Sequence, residues 1–184
     1  MTEILCITYK YPPNIGGMEK QSYELIHGLS YYYTTHVIAY KQESHIVAWF
    51  LSLRSKVIKM LKDHPNIKLI HLNDGSMGVI SLWLQKYTKI PIVITIHGLD
   101  IVYPLGFFQH KLVPRLTKYT ASISVSESTK NECVKRGFPE DSTFVVRNGV
   151  DCSMASVPFD QTIYERMKNK YGIDVTGKHI LVST

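Results

Sequence analysis

"ILCITYKYPPNIGGMEKQSYELIHGL", residues 4–29, passes from an apolar run through two prolines and two glycines into a helical pattern. Ile4–Tyr9 is continuous rather than alternating, as expected of a strand buried on both faces. Positions 18, 22, 25, 26 and 29 then recur three or four residues apart and form one stripe of a helix over Met18–Leu29.

The same alternation continues along the chain. Further strands are expected at His36–Tyr40, Ile67–Leu72, Ile92–Ile96, Ser122–Val125 and Phe144–Val146. Helices are expected at Ile46–Lys62, Met77–Tyr87, Phe107–Tyr119 and Glu127–Arg136. Ser126 is a good N-cap for the last of these and Gly137 a good stop. The fold class is therefore α/β: a parallel sheet with helices on both faces, Rossmann-like. Residues 151–158 read as a linker, followed by a polar helix over Phe159–Tyr171 that Gly172 stops. "KHILVST" then starts a new apolar strand, which few chains leave without a successor. The expectation is one domain over residues 1–151, and over 152–184 a linker helix with the first strand of a second domain.

The 184 residues suffice for one packed core, and 45% hydrophobic with 20% charged residues is ordinary for a globular protein. No apolar run is long enough to span a bilayer. Met1–Tyr9 has no basic start and no cleavage site of a signal peptide. Cys6, Cys133 and Cys152 are odd in number and far apart, which fits a reducing cytoplasm without disulfides. No His/Cys cluster has zinc spacing. The net charge of +6 permits an anionic partner but selects none.

Ligands of open parallel sheets bind beyond the carboxyl ends of the strands. Those ends are rich in small and polar residues here: Gly16-Gly17 after the first strand, Asn73-Asp74 after the third, His97-Gly98-Leu99-Asp100 after the fourth, Ser126 after the fifth and Arg147-Asn148 after the sixth. Gly16 and Gly17 precede a helix N-terminus, where bare N–H groups and the helix dipole suit a phosphate; a tight turn is the plainer reading. Glu19 either belongs to that site or simply complements the dipole. His97 either serves a ligand as hydrogen-bond donor, acid or base, or is a satisfied structural histidine. There is no G-x-G-x-x-G, no P-loop and no G-x-S-x-G elbow.

Taken together, "YPPNIGGMEKQSYELIHGL", "VITIHGLD", "ISVSESTKNECVKRGF" and "VVRNGVD" resemble the N-terminal domain of a retaining, family-4-type (group 1) glycosyltransferase with two Rossmann-like domains, the GT-B fold. The four segments stand in that family's order and spacing across residues 3–151. "MKNKYGIDVTGKHILVST" resembles its crossover into the second domain. The resemblance implies sugar transfer from a nucleotide-sugar to a hydroxyl of a sugar or lipid-linked acceptor, with retention. It places Gly16, Gly17 and Glu19 beside the donor diphosphate, and His97 against the transferred sugar as the catalytic residue. Ser126, Arg147 and Asn148 would line the acceptor side, which Asn73, Asp74 and Asp100 join by position. The family neutralises its leaving group with helix ends and basic side chains, so neither a metal nor another cofactor is expected. Most donor contacts belong to the second domain, so these 184 residues alone should fold without transferring sugar.

"IVAWFLSLRSKVIKMLKDH" carries Trp49 and Phe50 with Arg54, Lys56, Lys59 and Lys62. It is either a peripheral anchor on the anionic inner face of a membrane or a helix with its apolar side on the sheet. Two other classes compete with the enzyme. A non-catalytic flavodoxin-like binding or regulatory domain lacks the acidic cluster that phosphate signalling needs. A nucleic-acid binder is suggested by charge alone, with no recognition motif, so no nucleic acid is expected. The oligomeric state is not legible.

Overall fold

The computed structural model describes residues 2–43, 45–149, 160, 162–175 and 177–178. The chain forms two compact units, residues 1–148 and 149–184. In the first, six parallel strands form one sheet in the order β2-β1-β3-β4-β5-β6. They are β1 (Glu3–Thr8), β2 (Thr34–Ala39), β3 (Ile67–Leu72), β4 (Ile92–Ile96), β5 (Ala121–Ser124) and β6 (Thr143–Val145). The order reverses between β1 and β3, and a crevice opens at such a switch point.

Side-chain alternation in β1 sorts the two faces. Ile4 and Cys6 pack with Ile26 of helix α1 (Gly17–Ser30). Leu5 and Ile7 point the other way, into a larger core with Trp49, Leu53 and Val57 of α2 (Ile46–Asp63). α2 therefore lays its apolar stripe on the sheet and leaves Arg54, Lys56, Lys59 and Lys62 exposed. Cys6 and Cys133 are free and buried, and burial pushes the Cys6 thiol up to about 12, which makes it inert. Cys152 lies outside the described residues.

Several helices differ from the sequence expectation. The helix expected over 77–87 is divided into α3 (Gly75–Ile80) and α4 (Leu84–Tyr87). Between them the chain tightens to three-residue bonds, Leu82 N to Val79 O and Leu84 N to Ser81 O, and Leu84 enters the core. The start moves to Gly75 because the Asp74 side chain caps it, accepting from Met77 N at 2.9 Å. The helix expected over 107–119 holds a π-helical turn, Phe108–Leu112, before α6 (Val113–Leu116). Pro114 stands two residues after that turn and has no N–H to continue a regular ladder. A short α5 (Leu99–Val102), anchored by fully buried Ile101, was not foreseen. α7 (Glu127–Lys135) follows β5 as expected. In the second unit, α8 spans Thr162–Tyr171 and Gly172 follows it with φ +69°. Asp160 caps this helix, accepting from Thr162 N at 2.9 Å. The strand expected after residue 178 lies outside the described residues.

Candidate active site

The carboxyl ends of β1, β3, β4, β5 and β6 carry the polar residues singled out from sequence. Beyond β1, Gly16 is the N-cap of α1 and no side chain caps that end. A Cβ on Gly16 would collide with the Glu19 carboxylate, whereas one on Gly17 would meet nothing within 4 Å. The two glycines thus differ: Gly16 makes room for Glu19, and Gly17 keeps the helix start bare. Gly16 has φ 171°, an extended conformation open to any residue, so a tight turn is not what requires it. Glu19 is buried and pairs with Lys10 Nζ at 3.5 Å. Lys10 also lies over the Tyr9 ring, 5.0 Å from its centroid. The Gln42 amide donates to Asn14 Oδ1 and ties the loop after β2 to the glycine loop.

His97 is half-buried at the end of β4. Its Nε2 lies 2.9 Å from the backbone oxygen of Asn73. A carbonyl only accepts, so Nε2 carries a proton and donates it there. Asp100 Oδ2 accepts from the N–H of His97 at 3.0 Å and of Gly75 at 3.1 Å. The carboxylate therefore clamps the β4 loop to the start of α3. Gly98 has φ +80° and ψ −76°, a left-handed conformation that favours glycine and allows the sharp turn after His97. Across that turn, Ser126 caps α7 through Thr129 N at 3.1 Å and also bonds the Thr129 hydroxyl at 2.9 Å.

Below the crevice the chemistry is unusual. Asn73 and Asp74 are each only 1% exposed. The side-chain amide of Asn73 and Oδ2 of Asp74 have no partner. Burial pushes the Asp74 carboxyl up to about 7; the Met77 N–H opposes this and the nearby Asp100 adds to it. Burial raises the Tyr9 phenol, and the negative charge of Asp74 adds to the effect. His71 in β3 bonds Thr95 Oγ1 at 2.8 Å. Burial first and His97 second hold His71 down at about 4, so it is neutral at pH 7.

Residues 15–154 match the profile of Glycosyltransferase Family 4. The chain belongs to this family. No curated protein sequence matches it. Among solved structures, Anabaena Alr3699/HepE in complex with UDP and glucose is similar at 16% identity and TM-score 0.60, over 94% of this chain and 50% of that one. The lipopolysaccharide outer core galactosyltransferase WaaB, in apo form, is similar at 15% identity and TM-score 0.57, over 81% and 46%. So is UDP-N-acetylglucosamine 2-epimerase from Rickettsia bellii, at 12% identity and TM-score 0.58, over 92% and 48%. These likenesses show the fold, and the chain spans about half the length of each.

Within this family-4 domain, the structure brings Asn73, Asp74, His97 and Asp100 into one bonded group. Glu19, Gly16 and Lys10 form a second group at the glycine loop. Ser126 is half-buried at the start of α7. Arg147 and Asn148 are exposed just beyond β6, and no described hydrogen bond joins them to either group. Sequence reasoning missed Lys10, His71 and Thr95. Lys10 had a visible signal as the one cation between the first strand and Gly17. His71 stood in view at the end of the third strand without further context, and Thr95 had no signal, because it sits in an apolar run that reads as plain strand.

Proposed function

We propose that this chain is the acceptor-side half of a retaining glycosyltransferase that moves a sugar from a nucleotide-sugar to a hydroxyl acceptor. One observation carries it in a family-4 chain: the bare start of α1 at Gly17 and the clamped His97 flank the switch point of the same sheet edge. HepE has been solved with UDP and glucose and with UDP-glucose, which favours a UDP-sugar donor.

In this reading the N-terminus of α1, with Lys10 beside it, faces the leaving diphosphate. Glu19 holds Lys10 in place. His97 commits its Nε2–H to Asn73 O and presents Nδ1 to a hydroxyl of the transferred sugar. Ser126, Arg147 and Asn148 stand on the acceptor side. Residues 152–184 lead into a donor domain that supplies most nucleotide contacts and closes over the sugar to exclude water. The leaving group is neutralised without a metal. The acceptor is a sugar or lipid-linked hydroxyl. Trp49 is buried in the core and Phe50 packs against it, so a peripheral contact with an inner membrane face would rest on exposed Val47 and Leu51 with the basic face of α2 instead. No helix among the described residues is long and apolar enough to cross a membrane.

The test uses the protein with its donor domain, a panel of UDP-sugars and hydroxyl acceptors, and excess EDTA. Transfer with the donor's anomeric configuration kept, undiminished by EDTA, is the expected result. UDP-sugar binding without transfer to any acceptor would favour a non-catalytic domain instead.

A further inference from the structure

At the opposite end of the sheet from the crevice, three side chains far apart in sequence converge. Glu3 opens β1, His36 lies in β2, and His64 caps the C-terminus of α2. One ligand atom from each lies within 4.8 Å of the others. His36 Nε2 is 2.7 Å from Glu3 Oε2, and the two imidazole rings are 4.0 Å apart between centroids. All three are half-buried, neither sealed from solvent nor free to wander.

We propose that Glu3, His36 and His64 bind a first-row divalent cation, with zinc the best match. Two imidazoles and one carboxylate are a borderline donor set that suits zinc over magnesium or calcium. Zinc bonds of about 2.0–2.1 Å put tetrahedral ligand atoms about 3.3 Å apart, inside the 4.8 Å envelope. The ion takes the place of the proton shared by Glu3 and His36, and the pair spreads by only a few tenths of an ångström. Three ligands leave one position for water.

The surroundings are built for this in three further ways. The pairing of β1 with β3 slips by one residue between Glu3 and Ile4, a bulge of the kind that re-aims a side chain. His64 is held by its own backbone, donating to Met60 O at 3.0 Å and accepting from Ile67 N at 3.2 Å. It also stands at the C-terminal end of an 18-residue helix, where the dipole favours a cation. Asp63 next to it is paired with Lys59 at 2.7 Å, so it adds little net charge. The ion would staple edge strand β2 to β1 and to the turn that enters β3. It lies at the far edge from the sugar-transfer site and does not depend on that reading.

The 184-residue chain, stripped with EDTA and dialysed, is titrated with zinc chloride by calorimetry, and its thermal midpoint is measured with and without the ion. One equivalent should bind and raise the midpoint. His64→Ala and Glu3→Gln should each weaken that binding by about tenfold or more, by the scale on which perturbing a metal ligand's shell acts. Glu3→Gln keeps the shape of its parent, so it answers for any folding defect in His64→Ala. His110→Ala, at an exposed site, should bind as the parent does. No stoichiometric binding, or binding unchanged by both ligand substitutions, would show that the three residues form only an ion pair with a stacked histidine.

Discussion

The Asp100 carboxylate accepts the Gly75 N–H at 3.1 Å and so joins the loop after β4 to the first residue of α3. The same oxygen holds the His97 N–H at 3.0 Å. Asp100 is thus the part that fixes where His97 stands. Asp100→Ala leaves two partly buried N–H groups without a partner, at a cost of about 1–3 kcal/mol. Urea unfolding should show that loss. In the two-domain enzyme, transfer should fall further than the stability loss explains, because the His97 loop is released.

His97 itself is half-buried, and among the described residues its side chain bonds a backbone oxygen. His97→Ala should lower the thermal midpoint only slightly while lowering turnover at least about a hundredfold, the usual scale for a positioned acid, base or hydrogen-bonding group. A large drop in midpoint with full turnover per folded molecule would make His97 structural.

Asp74 gives a pH signature. Its carboxyl titrates near 7 in the fold, mainly through burial, against an ordinary value of 3.8. The native state therefore holds a proton that the unfolded chain has already lost between those values. Asp74 contributes stability that is fully present below about pH 4 and fades as pH rises through about 7. Stability of the parent relative to Asp74→Asn should decline across that window. A flat difference would mean that Asp74 is ionised in the fold.

Two glycines should behave oppositely. A Cβ on Gly78 would strike Ile94 and crowd Leu116, so Gly78→Ala should cost about 1–3 kcal/mol by overpacking. A Cβ on Gly17 meets nothing, so Gly17→Ala should leave stability within about 1 kcal/mol of the parent. It should nonetheless weaken UDP-sugar binding in the two-domain enzyme, because the methyl group stands at the bare helix start. Thermal melts and a binding isotherm separate the effects.

The 184 residues alone should fold and bind UDP weakly or undetectably, with no sugar transfer. On the proposed reading, most groups that neutralise the leaving diphosphate belong to a second, donor-side domain, and such electrostatic terms are usually the largest in catalysis. Incubation with UDP-sugars and acceptors checks this, and robust transfer would remove the two-domain reading.

Strand and helix order were legible because they rest on local pattern. The largely apolar runs Ile4–Tyr9, Ile67–Leu72 and Ile92–Ile96 read as buried strands, and each holds a strand of the sheet. Helix interiors were harder where local signals conflict. Pro114 in an apolar stripe produced a π-helical turn, and a tightened turn divided the stripe after Ile80.

By itself the sequence determined the order of the strands, the parallel sheet and the polar residues at its carboxyl edge, because each is written in local pattern. The tertiary structure alone decided what those residues do to one another. Asn73 and Asp74 read as cleft-lining residues at the end of the third strand, yet each is only 1% exposed, since α3 turns back over β4 with Gly78 against Ile94. Glu19 reads as a dipole partner but also seats Lys10. Glu3, His36 and His64 read as unrelated residues and meet within 4.8 Å. Such meetings follow from strand register and helix packing, which join residues separated by tens of positions, and no local spacing encodes them.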